Sequence, residues 1–257
     1  MVPSQESARL AAEAQAYLAA QLGPRAPTSV DFVAMFDEAP LETEPRVALF
    51  RFRIGGATSA RADHPAERAA AASSDKGATA DCSDDRAAAG NAEGSVPGGG
   101  PECAGAALPH YVAVGGESPN YFPAYGLDAE DAFSLYIGTV FMLELGVTRA
   151  DPASEPPGGA ESVVGFAARQ APGLSVEQVR LDALFRTEDV YFGVYRATVG
   201  GRVTSCVGAL PFDVGNQAAT PGFYERVDLP APVLLRLHLG RLIRQEARSE
   251  RGAAEGA

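Results

Sequence analysis

Few side chains here have the types and spacing that reaction chemistry needs. The chain has three histidines (His64, His110, His238) and three cysteines (Cys82, Cys103, Cys206). They form no HExxH, no CxxC and no other short-spaced pair, so neither a structural nor a catalytic zinc site is expected. There is no GxxxxGK[ST], and no GxGxxG follows a predicted strand, so nothing cradles nucleotide phosphates and no cofactor is predicted. Gly115-Gly116 follows a strand-like segment and fits a turn better than an anion cradle.

Single candidates remain. Histidine as a residue type titrates near neutral pH, so His110 could act as an acid or base, against the simpler reading of a part-buried structural histidine. Ser118 lies in Gly116-Glu117-Ser118-Pro119-Asn120, which is not a GxSxG elbow. Asp128 and Asp131 share a helix face with Glu130 nearby, as a carboxylate pair would require. Acids in a first helical turn already have a structural reason in capping and the helix dipole. Cys206 falls inside a predicted strand with no basic neighbour, and reads as a small buried hydrophobe.

Two groups suit recognition better than reaction. Asn120, Tyr121, Phe122 and Tyr125 lie on a proline-stiffened segment just before a helix, and rings with a wet end and an apolar body favour interfaces. The alternative is that they roof the core. Arg241, Arg244, Arg248 and Arg251 follow one another at spacings of 3, 4 and 3, one stripe of a helix. Residues 230–252 hold five arginines against Glu246 and Glu250, net +3 in a chain of net charge −12. That stripe is either a docking face for an acidic partner, a second copy included, or a solvated face.

The elements that must position these groups start with a helix over 4–22, ended by Gly23-Pro24. A short second helix is expected from Thr28 or Ser29 through Phe36, then a strand over Arg46–Ile54 with Phe50, Phe52 and Ile54 on one face and Arg51 and Arg53 on the other. Residues 57–108 hold 17 alanines, seven glycines and no aromatic residue, so they cannot offset their ordering entropy and are expected to be a disordered insert. His110–Val114 resumes as a strand that pairs with Arg46–Ile54 across the insert.

The central helix runs from the cap Asp128 to Leu145, with Gly146 at its end, and is apolar nearly all round. A loop is expected over 148–160 and a short helix over Glu161–Arg169. Strands Val179–Phe185, Val190–Val199 and Arg202–Leu210 follow, the last two joined by Gly200-Gly201. A last helix starts after Pro230 and runs to about Arg251, leaving 252–257 as a tail.

Strands that cluster instead of alternating with helices predict an α+β fold. The expectation is one domain, 1–56 with 109–251, whose antiparallel sheet of about five strands carries the central helix on one face and N- and C-terminal helices at its flanks.

The acidic balance argues against general nucleic-acid binding. An odd cysteine count without a disulfide framework, no signal-like N-terminus and no long apolar run predict a cytoplasmic protein without a membrane span. The leading expectation is a non-catalytic interaction module (an adaptor, assembly factor or chaperone-like protein), acting on a partner protein through the aromatic segment and the last helix. The alternatives are a ligand-binding protein or enzyme with a pocket between sheet and central helix, near His110, Tyr111, Ser118, Asn120, Tyr121 and Asp128, or a subunit of a larger assembly.

Overall fold

In the computed structural model, which describes residues 5–37, 46–54, 108–116, 118–212 and 221–255, the helix begun by Asp128 spans Ala129–Glu144 (α2). The Asp128 side chain accepts from the Asp131 amide at 2.8 Å, as an N-cap should. Residues Ala132–Val140 are buried without a break. A helix sealed all round needs neighbours on more than one side, and two sheets and a second helix provide them.

The first sheet has the order β1-β2-β3-β4, all antiparallel: Asp31–Phe36 (β1), Val47–Arg53 (β2), Pro109–Val114 (β3) and Asn120–Pro123 (β4). The second has the order β5-β6-β7-β8-β9, also antiparallel: Thr148–Ala150, Val176–Arg186, Tyr191–Val199, Arg202–Leu210 and Gly222–Tyr224. The fold is α+β as expected, with its strands divided between two sheets.

The other helices are α1 (Gln5–Leu22), α3 (Gly159–Gln170) and α4 (Ala231–Glu255). Helix α1 packs Leu10, Ala14, Leu18 and Leu22 on Ala48, Phe50, Phe52, Val112 and Val114. The opposite face of that sheet (Val47, Leu49, Tyr111, Ala113, Phe122) joins α2 in the main core. The second sheet repeats the plan, with α3 on Tyr195, Ala197 and Cys206 and α4 on the face that carries Val194 and Val207.

Several expectations change. Residues 31–36 are strand β1, where a helix was expected: Phe32, Val33 and Phe36 suit either period, and pairing with β2 decides. The approach to α2 is in part a strand, β4, and the 148–160 loop contains β5. Strand β2 has a wet face only at Arg51 and Arg53, because helices cover both sides of its other end. The expected insert, apart from Leu108, lies outside the described residues, together with His64, Cys82 and Cys103. Helix α4 continues to Glu255, past the expected end near Arg251.

The chain is built twice from one plan, a helix, four antiparallel strands and a closing helix. Helices α2 and α4 cross antiparallel through a reciprocal contact. A Cβ on Gly138 would run into the Arg236 carbonyl, and one on Gly240 into the Ser134 carbonyl. Each α4 position lies 102 residues after its α2 counterpart, 240 against 138 and 236 against 134, and both helices begin on that register, 231 against 129.

The turns that enter the two helices match as well. The Leu127 carbonyl accepts from the Tyr111 hydroxyl at 3.0 Å, and Arg51 in turn donates to that hydroxyl at 2.8 Å. The equivalent Leu229 carbonyl accepts directly from Arg196 at 3.0 Å. Arg51 and Arg196 hold the same place on the second strand of each half, opposite Tyr111 and Ser205.

Candidate functional site: an arginine-lined cleft on the helix pair

The antiparallel crossing sets the C-terminal half of α4 beside the first turn of α2. The stripe Arg241, Arg244 and Arg248 then meets Glu130 and Asp131. Arg241 donates to the Asp131 carboxylate from Nη2 at 2.6 Å and from Nε at 3.1 Å, with its guanidinium 5.2 Å from the centre of the Tyr224 ring. Arg244 donates to the Glu130 carbonyl and the Ser134 hydroxyl, both at 2.8 Å, and to the Glu130 carboxylate, and lies over Phe133 and Phe36. Arg248 reaches Glu130 at 3.5 Å.

Ser134, Arg241, Arg244, Gln245, Arg248 and Ser249 line a cleft of ≈ 450 Å³. The structure thus gathers three of the arginines and the acids Glu130 and Asp131 singled out from sequence, and adds Ser134, Gln245 and Ser249. The legible signal for the acids was an acidic turn on one helix and a basic stripe on another.

These arginines play different parts. The Arg244 side chain is 6% exposed and fully engaged with α2, so it is structural. Arg241 and Arg248 are 45% and 55% exposed. Exposed ion pairs contribute at most about 1 kcal/mol, so stability alone is a weak reason for the cluster. For Arg241, burial disfavours the charge, but Asp131 and Tyr224 outweigh it and the pKa rises.

The duplicated plan gives an internal control. The positions equivalent to Arg241, Arg244 and Arg248 are Thr139 and Met142 of α2 and Gly146, two residues past its end, and the α4 positions equivalent to Glu130, Asp131 and Ser134 are Pro232, Val233 and Arg236. The two helices share their start and their crossing, but α2 ends at 144 and α4 runs on past the equivalent 246 to 255. Arg241 and Arg244 therefore have helical counterparts in α2, Arg248 lies in the extension of α4, and the arginine–carboxylate set is found at this end of the pair.

Behind the cleft lies a buried polar group. His238, 3% exposed, has Nδ1 3.0 Å from the Tyr224 hydroxyl. Burial, with Arg241 adding to it, pushes its pKa down to about 4. Burial also raises the Tyr224 phenol to about 12 and the Cys206 thiol well above its usual range. Ser205, opposite Tyr224 in the sheet, has a buried hydroxyl without a hydrogen-bond partner among the described residues. Neither His238 nor Ser205 lines the cleft.

The aromatic segment lies apart from the cleft lining. Phe122 is buried in the main core. Tyr121 is half-buried between Tyr17, Phe52 and His110. Tyr125 is half-buried with a positive φ of 47°, and its carbonyl accepts from Arg226. Asn120 is half-buried in β4 opposite Ala113. His110 has Nδ1 2.8 Å from the Leu108 carbonyl, and burial lowers its pKa.

Two further surface clefts, one bordered by Arg180, Asp182 and Arg196 and one by Ser29, Asp31 and Arg51, also lack Tyr111, Ser118, Asn120, Tyr121 and Asp128. Among the described residues no three His, Cys, Asp or Glu side chains gather as metal ligands, and no helix is long and apolar enough to cross a membrane. No protein-family model, no curated protein and no solved structure matches the chain.

Proposed function

We propose that the protein is a non-catalytic interaction module, an adaptor or assembly factor, and that it engages a partner protein through the arginine cleft of α4. The observation that carries this reading is the broken internal symmetry. Of the two ends of one helix pair, one has arginine side chains half open to solvent around a cleft, where the other has Thr139, Met142 and, just past the end of the shorter α2, Gly146. Arginine is favoured where one protein recognises another, because its planar fork pairs with carboxylates at a defined geometry. The aromatic segment serves as the scaffold of the first sheet in this reading. The cytoplasm is its compartment, in keeping with a free buried Cys206.

The test is affinity capture from lysate of the source cells with three baits: the wild type, Arg248→Glu, and Arg202→Glu as a control. Arg202 is a highly exposed arginine of β8. Proteins retained by the wild type and the control but lost from Arg248→Glu support the proposal. The same retained set for all three baits overturns it.

A further inference from the structure

The next step rests on the interaction reading above and names the chemistry of the partner. Arg241 and Arg248 are seven helical positions apart, about 10 Å along the axis at about 1.5 Å per residue. The ring of Tyr224 and the carboxylate of Asp131, which takes Nε and Nη2, hold Arg241 in place, so the guanidinium is positioned before any ligand arrives. Gln245 and Ser249 place neutral polar groups along the same cleft, whose ≈ 450 Å³ is in the range that takes ligands larger than a single ion.

An extended peptide in the polyproline II conformation has three residues per turn and advances about 3.1 Å per residue, so its residues i and i+3 face the same way about 9 Å apart. That repeat matches the arginine spacing to within the reach of a glutamate side chain. We infer that the cleft binds an extended acidic segment of a partner protein, one carboxylate on Arg241 and another three residues along on Arg248.

Binding there should also be felt at His238. Arg241 disfavours the charged form of His238, so a further negative charge brought to the Arg241–Asp131 pair shifts the His238 ring environment without touching it.

The probe is the fluorescein-labelled peptide Glu-Pro-Pro-Glu-Pro-Pro-Glu, with the glutamine version as control and binding read by anisotropy at low salt. The glutamate peptide should bind, the glutamine peptide should not, and Arg248→Glu should weaken binding by at least about tenfold, the effect of one charge-assisted pair. Arg202→Glu should bind as wild type. The milder Arg248→Gln should weaken binding in the same direction, which answers any folding defect in the charge reversal. Wild-type protein should also show a ring-proton shift of His238 on titration.

Equal binding of both peptides, equal loss in the Arg202 control, or displacement of the peptide by inorganic phosphate at equimolar concentration would each overturn the acidic-segment assignment. If the peptide fails while cellular capture stays dependent on Arg248, this inference falls and the interaction reading stands. If both fail, both fall.

Discussion

The buried histidine gives the sharpest test of the packing between α4 and the second sheet. His238 faces Tyr224 across a 3.0 Å contact, has Arg241 one turn further on, and lies beside Gly222 of β9, where an added Cβ would come 2.8 Å from its ring nitrogen. Burial, helped by Arg241, lowers its pKa from 6.5 to about 4. The fold therefore excludes the charged form, whereas the unfolded chain accepts the proton readily.

The stability cost is zero above the unfolded pKa, grows as the pH falls from 6.5 towards 4, and is constant below that. A displacement of this size amounts to roughly 3 kcal/mol in full, of which about 2.5 kcal/mol is reached by pH 4.5. That is a large share of the about 5–15 kcal/mol that separates folded from unfolded domains.

The assay is urea unfolding at pH 7.5 and pH 4.5 on the wild type and His238→Gln, which keeps a side chain able to bond Tyr224. Other carboxylates titrate in both proteins and cancel in the difference. The wild type should lose about 2.5 kcal/mol more than the variant between the two pH values. Equal losses would refute the claim that His238 is held neutral by its surroundings.

Gly240→Ala places a methyl against the Ser134 backbone, which cannot move aside as a side chain can. Forcing the helices apart should cost about 3 kcal/mol, a fall in Tm of roughly 6–12 °C by scanning calorimetry. Gly138→Ala should do the same by the reciprocal contact, and a neutral effect at both positions would mean that the crossing is wrong. Phe122→Ala removes a core ring and should cost about 3–5 kcal/mol in chemical unfolding. Capture of a partner by the surviving folded fraction should be unchanged, and loss of capture without loss of stability would return the aromatic segment to the functional surface.

Much of this was legible in the sequence where local chemistry and long-range packing agree. Asp128 caps α2 as its residue type demands, and Gly200 and Gly201 both take positive φ, 56° and 80°, in the turn joining β7 to β8. The His110–Val114 strand pairs with β2 although the whole insert separates them, and both strands carry apolar residues on both faces, one set packed with α1 and the other with α2.

The rest depended on partners distant in sequence. Phe32, Val33 and Phe36 fit a helix face as well as a strand, and only β2 settles the choice. The doubling of the fold was hidden because α2 and α4 share only Ala129/Ala231, Leu135/Leu237, Gly138/Gly240 and Glu144/Glu246 over the 16 residues of α2. Those few include the two glycines that the crossing requires. The arginine stripe was visible and the acids of α2 were visible, but their meeting needed the crossing.

The most direct measurement of the central claim is site-specific photo-crosslinking in the source cells. A photoreactive side chain is placed at Gln245, inside the cleft, and in a second strain at Val164, an exposed position of α3. Position 245 should give a discrete crosslinked partner that disappears when Arg248→Glu is added, and position 164 should give none. No adduct at 245, or one that survives the charge reversal, would contradict it.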